Sequence, residues 1–380
     1  MKRILKALLV VNFCIISGCA ESGSNAASAS PSSAVQTYSN ISLDSGFDTF
    51  ISLQETTSSK TDFDSHFQEV TDLFSYYNSL FDIYKDYDGI NNIKTINENA
   101  GIQPVKVDSA IIEMLNKAKD FYDLTDGEFD VTMGALLKVW HTYREEGITL
   151  NEDGEYGNVP TQSELEAAAE HSGWDSIIID EDASTVYISD PDVQLDVGGI
   201  AKGFATEKVA QILENENVTH AAINAGGNNR TLGPKADGSA WRVGIQNPGG
   251  EGSLAVVAID GTNSFVTSGD YERYYVAEDG NTYHHIIDPS TLYPASHFHS
   301  VTIITPDSGD ADCLSTSLFT LDYEAGLKLI QAYKEAHPGT TLEAVWIMDS
   351  ASAPESEYSM VSGDYTIVYT SGLKDKITKV

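Results

Sequence analysis

The stretch Leu195-Asp196-Val197-Gly198-Gly199-Ile200-Ala201-Lys202-Gly203-Phe204-Ala205 joins an alternating apolar run to a Gly-Gly turn. Ala205, Val209, Ile212 and Leu213 then recur at helical steps, so the segment predicts a strand feeding a helix. Glycines let a ligand approach the backbone, and the free amides and dipole of a helix start favour anionic oxygen. Lys202 adds a point charge in the first turn. Taken alone, the same pattern is more often a structural turn, and it matches neither a P-loop nor a dinucleotide fingerprint.

Upstream, Phe47 to Ile51 reads as a short strand, and Phe63, Phe67, Val70, Phe74, Tyr77 and Phe81 mark an amphipathic helix. A second helix follows the cap candidates Asp108 and Ser109, with Ile111, Met114, Leu115, Ala118 and Tyr122 on one face. Thr161 and Glu164 have the spacing of a capping box for a third helix that stops at Gly173. Ser176 to Ile179, Ser184 to Ile188 and Val193 to Val197 follow as strands separated by acidic turns.

Downstream, Asn224-Ala225-Gly226-Gly227-Asn228-Asn229-Arg230 is a glycine-rich hairpin or interstrand loop. Thr267-Ser268-Gly269-Asp270-Tyr271-Glu272-Arg273 leads to Tyr283-His284-His285-Ile286-Ile287-Asp288-Pro289. Neighbours on a strand face opposite ways, so at most one of the two histidines enters a given pocket. In Ala311-Asp312-Cys313-Leu314-Ser315-Thr316 a helix starts, with Asp312 and Thr316 four apart on one face. They would offer oxygen ligands to a hard cation such as Mg2+, or Asp312 would simply cap the helix.

The chain has 22 Lys and Arg against 57 Asp and Glu, a net charge of −35 that repels nucleic acid. A phosphorylated small molecule can bind only where a metal ion or a helix N-terminus overrides that field. At the start of the chain, Lys2, Arg3 and Lys6 precede an apolar stretch from Leu8 to Ile16, and Ile16-Ser17-Gly18-Cys19 closes it. That is the pattern of a bacterial lipoprotein signal over residues 1–18, cut before a lipidated Cys19. A Ser/Ala-rich tether over 19–40 would then hold a body spanning 41–380 at the extracytoplasmic face of the cell membrane. No linker splits that body. After cleavage Cys313 is the one remaining thiol, so no internal disulfide is expected.

The four ordered clusters, together with Phe129-Asp130-Val131-Thr132, Gly134 and Trp140, resemble the ApbE-type FAD:protein FMN transferases from about Phe47 to Leu321. The resemblance implies a single α+β body related to the T-fold class, without a Rossmann domain. It implies that FAD and Mg2+ are bound and that FMN passes to a Thr or Ser hydroxyl of an acceptor flavoprotein, releasing AMP. Carried over by position, the metal ligands are the Gly199 carbonyl, Asp312 and Thr316. Asp196 and Lys202 contact the dinucleotide; Phe47, Tyr84 and the Leu137 to Trp140 segment line its site. His285 is the catalytic histidine. One departure is Leu292, which stands where the family often has glycine after the Asp-Pro-x-Thr turn, and Cys313 reads as a small buried hydrophobe.

The chemistry fits these residues. Attack by a neutral hydroxyl on an anionic diphosphate needs charge neutralisation and a base, and an imidazole titrating near 6.5 suits the second task. Two rivals use the same features: a metal-dependent FAD pyrophosphatase with water as acceptor, and a non-catalytic flavin-binding lipoprotein.

Overall fold

The computed structural model describes residues 35–380. The expected lipoprotein signal and Cys19 lie outside the described residues.

In chain order the elements are β1 (Gln36–Ser42), β2 (Ile51–Thr57), α1 (Lys60–Phe81), α2 (Ile93–Glu98), β3 (Val105–Lys106), α3 (Ser109–Leu124), α4 (Gly134–Glu152) and α5 (Gln162–Ala169). Then come β4 (Ile177–Asp180), β5 (Thr185–Ile188), α6 (Ala201–Asn215), β6 (Ala221–Ala225), β7 (Asn228–Leu232), β8 (Trp241–Gln246), β9 (Ser253–Ile259) and β10 (Ser264–Gly269). The chain closes with β11 (Tyr274–Val276), β12 (Thr282–His284), β13 (Ser300–Thr305), α7 (Ser308–Thr320), α8 (Tyr323–Ala336), β14 (Glu343–Asp349), β15 (Ser359–Ser362), β16 (Tyr365–Tyr369) and β17 (Ile377–Lys379).

A nine-stranded sheet in the order β1-β2-β6-β7-β10-β13-β14-β16-β15 forms the centre, and its named pairings are all antiparallel. Helices α1, α6 and α7 cover one face, where Ile51, Leu53, Ile223, Val301 and Ile303 meet Phe74, Val209, Leu314 and Leu318. The other face carries Phe265, Ile304, Val345, Ile347 and Ile367 against the small sheet β17-β9-β8. With sheet neighbours on one side or both of most strands and helices segregated to a face, the architecture is α+β.

The helices form for the reasons their sequences suggest. Ser59 caps α1 through the Asp62 amide, Asp108 caps α3 through Ala110, and Thr161 caps α5 through Glu164. Three local expectations need correcting. Phe47 to Ile51 is not a strand: Gly46, Phe47 and Asp48 all have positive φ (98°, 56° and 49°), so the chain turns there and β2 begins only at Ile51. The tether boundary moves, because Gln36 to Ser42 pairs with β2 from Gln36 opposite Thr57 to Ser42 opposite Ile51. Helix α5 ends at Ala169, short of Gly173.

The third strand of the 176–197 series is also absent. Val193, Leu195 and Val197 are buried in alternation, but no ladder accompanies them beyond a lone bridge from Gln194 to Met133. The Asn97 side chain clamps Leu195 through both its backbone N–H and C=O (2.8 and 2.9 Å), and the Asp196 amide donates to Val131 O at 2.8 Å. The Phe129 to Gly134 segment therefore acts as the backboard of the Gly-Gly loop. Gly134 has no room for a side chain, since an added Cβ would stand 2.5 Å from Gln194 O.

Candidate active site

The Gly-Gly loop and α6 meet α7 at the closest helix contact of the site. An added Cβ on Gly203 would sit 2.3 Å from Ser308 O and 2.6 Å from Asp312 Cβ, so only glycine permits this approach. The contact makes a hydrogen bond possible: the Gly203 amide donates to Asp312 Oδ2 at 2.8 Å. In a continuing α-helix that amide would bond the Gly199 carbonyl. Among the described residues no hydrogen bond reaches Gly199 O. An added Cβ on Gly199 would lie 3.6 Å from Thr316 Oγ1, which itself has no hydrogen-bond partner among the described residues. A carbonyl, a carboxylate and a hydroxyl thus converge with unused lone pairs, an all-oxygen donor set of the kind a hard divalent cation takes. These residues fit Mg2+.

Asp312 is not the helix cap; Asp307 is, accepting from the Asp310 amide. Burial pushes the Asp312 carboxyl above the usual carboxylate range, while the Lys202 charge and the Gly203 amide hold it back. Lys202 reaches the Gly226 carbonyl at 3.3 Å, and burial lowers its ammonium against the pull of Asp312. Asp196 accepts from the Gly198 amide at 2.9 Å; burial raises its carboxyl.

The two histidines separate cleanly. His284 holds the Ala295 carbonyl with Nε2 at 2.8 Å and accepts from the Ile286 amide with Nδ1 at 3.2 Å, which fixes it as a neutral structural ring. His285 differs: its Nδ1 is buried without a partner. Burial, then Arg273, His284, Arg144 and Lys202, hold its imidazole well below the ordinary histidine value. The ring is therefore neutral at pH 7 and has a free nitrogen.

Of the remaining expected residues, Phe47 lies in the turn before β2, its amide donating to Asn78 Oδ1 at 2.7 Å and its ring edge-on to Phe74. Two residues on, Thr49 packs against Gly226, the residue that Lys202 holds, so Phe47 borders the site. Tyr84 is exposed and stacks on His141 (centroids 5.1 Å apart). Although the residue is exposed, the groups packed about its hydroxyl and then the Asp196 charge push its phenol up to about 12. Leu137 is half-buried, and Trp140 is 2% exposed with its Nε1 bonded to Leu292 O at 2.8 Å. Trp140 stacks on Tyr283 and, through Leu292, supports the turn behind His285. Leu292 takes φ +66° without being glycine, held by its amide to Asp288 O and its carbonyl to Trp140.

Sequence reading missed Arg144, Arg273 and His141, which cluster about Asp196 and His285. The available signals were the quoted Tyr-Glu-Arg run and the three-residue spacing of His141 and Arg144. Burial pushes His141 down, helped by Arg144, whose Nη2 lies 2.8 Å from His141 Nδ1.

Comparison with known proteins places the fold in a family. The ApbE family model matches residues 46–338. An FAD:protein FMN transferase of Klebsiella pneumoniae is 33% identical over 65% of this chain and 76% of its own length. One from Haemophilus influenzae is 29% identical over 87% of this chain and 91% of its own. The solved ApbE protein of Thermotoga maritima superposes with a TM-score of 0.67 at 32% identity, covering 82% of this chain and 94% of that one. The chain belongs to the ApbE family.

Proposed function

We propose that the protein is an FAD:protein FMN transferase that moves FMN from FAD to a Thr or Ser hydroxyl of an extracytoplasmic electron-transfer protein and releases AMP. The curated relatives named FAD:protein FMN transferase support the flavin chemistry. The observation that carries the mechanism is the neutral, unpartnered His285 nitrogen in the same site as the oxygen triad of Gly199, Asp312 and Thr316. His285 takes the proton of the acceptor hydroxyl as its oxygen bonds phosphorus and the phosphorus bond to the AMP oxygen breaks. Lys202 and Asp196 orient the dinucleotide, and Phe47, Tyr84 and Leu137 border it. A bound Mg2+ would supply charge neutralisation at the diphosphate, held by Gly199 O, Asp312 and Thr316.

The signal and Cys19 make the chain a lipoprotein anchored by acyl groups at the outer face of the cell membrane, where such acceptors work. No described helix is long and apolar enough to cross a membrane. The test incubates the protein with FAD, Mg2+ and a recombinant acceptor carrying a Ser/Thr flavinylation sequence. The acceptor should gain the mass of one FMN; AMP released without that gain would make the protein a pyrophosphatase. Changing Cys19 to Ala should abolish lipidation, and continued lipidation would contradict the anchor.

A further inference from the structure

In a chain with 35 more acidic than basic groups, the site holds an arginine with no acidic partner. Among the described residues Arg273 makes no hydrogen bond and no ion pair. Its position follows from the β11–β12 hairpin. Tyr274 pairs with His284, so Arg273 and His285 stand immediately beyond that last rung, facing each other across the hairpin mouth.

Helix α4 brings a second guanidinium to the same place. Gly147 is packed so tightly under the Tyr275 ring that an added Cβ would lie 2.3 Å from Cδ2. Arg144 is one turn before Gly147 on that helix face, and Arg273 is two residues before Tyr275 on the strand. The contact therefore aligns the two arginines. Arg144 touches His141 at 2.8 Å, and its nearest carboxylate, Glu145, is 3.6 Å away. The field of Arg273 is felt by Arg144, Asp196, Lys202 and His285, whereas Asp312 on α7 is opposed by Lys202. The site thus has an oxygen-rich pole at α7 and a guanidinium pole at His285, with Lys202 between them.

We propose that Arg273, with Arg144 behind it, grips the non-bridging oxygens of the phosphoryl group that passes from FAD to the acceptor hydroxyl. The proposal rests on the transferase reading above. As the acceptor oxygen bonds phosphorus, its proton goes to His285, the bond to the AMP oxygen breaks, and AMP leaves with that bond's electron pair. Negative charge on the equatorial oxygens is then shared with the guanidinium, which presents several donors in one plane. A solvent-accessible arginine without a structural partner has no evident role in holding the fold.

The test is single-turnover flavinylation at saturating FAD, with FAD affinity measured by fluorescence quenching and folding by thermal melting. R273A should slow transfer about 1,000-fold, the lower range for an arginine that stabilises a phosphoryl-transfer transition state. FAD affinity should change less than about fivefold, because the loss falls on the transition state. R273K, which keeps the charge and loses the fork, should regain at least about tenfold over R273A. Wild-type rates in R273A, or a loss confined to FAD affinity, would overturn the proposal. If the unaltered protein flavinylates no acceptor, the transferase reading itself falls, whatever the arginine variants do.

Discussion

His285 and His299 lie at opposite ends of the segment that runs from β12 to β13, and their surroundings drive them in opposite directions. His299 is held by Asp270 Oδ2 at 2.8 Å on Nδ1 and Asp349 Oδ1 at 3.2 Å on Nε2, beside a cavity of about 290 Å3 that His284, His297 and Tyr293 also line. The hydrogen bond to Asp270, then that to Asp349, raises its imidazole to about 9. His285 is half-buried among cations, with its Nδ1 buried and unpaired, and is pushed down. One residue type is thus favoured as a cation in one setting and as a neutral imidazole in the other. For these two histidines, the satisfied ring belongs to the scaffold and the unsatisfied one is free to bind or exchange a proton.

The largest effect that could break this contrast is expected at the oxygen triad. Asp312→Ala should abolish flavinylation with the fold retained, and Thr316→Ala should reduce it in part, both read by acceptor mass. Full activity of Asp312→Ala at low micromolar Mg2+ would remove the triad from the mechanism. His285→Ala should lower single-turnover transfer by about 100-fold or more with FAD affinity nearly unchanged, the size of a lost general base. His299→Ala should leave that rate within about threefold, since its ring faces the other cavity; a larger loss there would erase the distinction between the pockets.

Gly203→Ala comes next. Its methyl would press on backbone at Ser308 O, so α6 and α7 must separate at a cost of about 1–3 kcal/mol, and the Gly203 to Asp312 bond is lost. Thermal melting and transfer rate should both fall; an unchanged rate would show that the helix contact does not set the site.

The pH prediction concerns His299. Its folded value lies above the unfolded value of about 6.5, so the stabilisation is fully present below that pH and is lost as the pH rises through about 9. Wild type should therefore melt higher than His299→Asn at pH 6, with the gap closing by pH 10. A gap that persists at pH 10 would mean that packing, not charge, holds this histidine.

Much of this was legible before the structure. The helix over 60–81 follows from the spacing of its aromatic residues, and the caps at Asp108 and Thr161 were readable because capping is local. Val193 to Val197 misled because alternation records which side chains are buried, not whether a neighbouring strand bonds the backbone; here Asn97 and Val131 do so instead. The turn at Phe47 was hidden because two non-glycine residues take positive φ. Asp196, Gly199, Lys202, His285, Asp312 and Thr316 sit in dense local motifs, and their roles were named from the resemblance of those motifs to the ApbE family. Arg144 and the Asp270, His299 and Asp349 group could not, because a helix contact and strands β10, β13 and β14 bring them together from afar.

The smallest expected effect is at Leu292. Replacing it with glycine relieves a left-handed backbone but loses apolar contact with the Trp140 cluster, so stability should shift by less than about 1 kcal/mol. A larger gain would show real strain in the turn behind His285.

The most direct test of the account measures AMP release and acceptor flavinylation in the same reaction, with FAD, Mg2+ and a Ser/Thr acceptor, for the wild-type protein and His285→Ala. One AMP is expected for each FMN found on the acceptor, with a parallel fall of both in the variant. AMP formed without acceptor modification, or a variant that flavinylates at the wild-type rate, would contradict it.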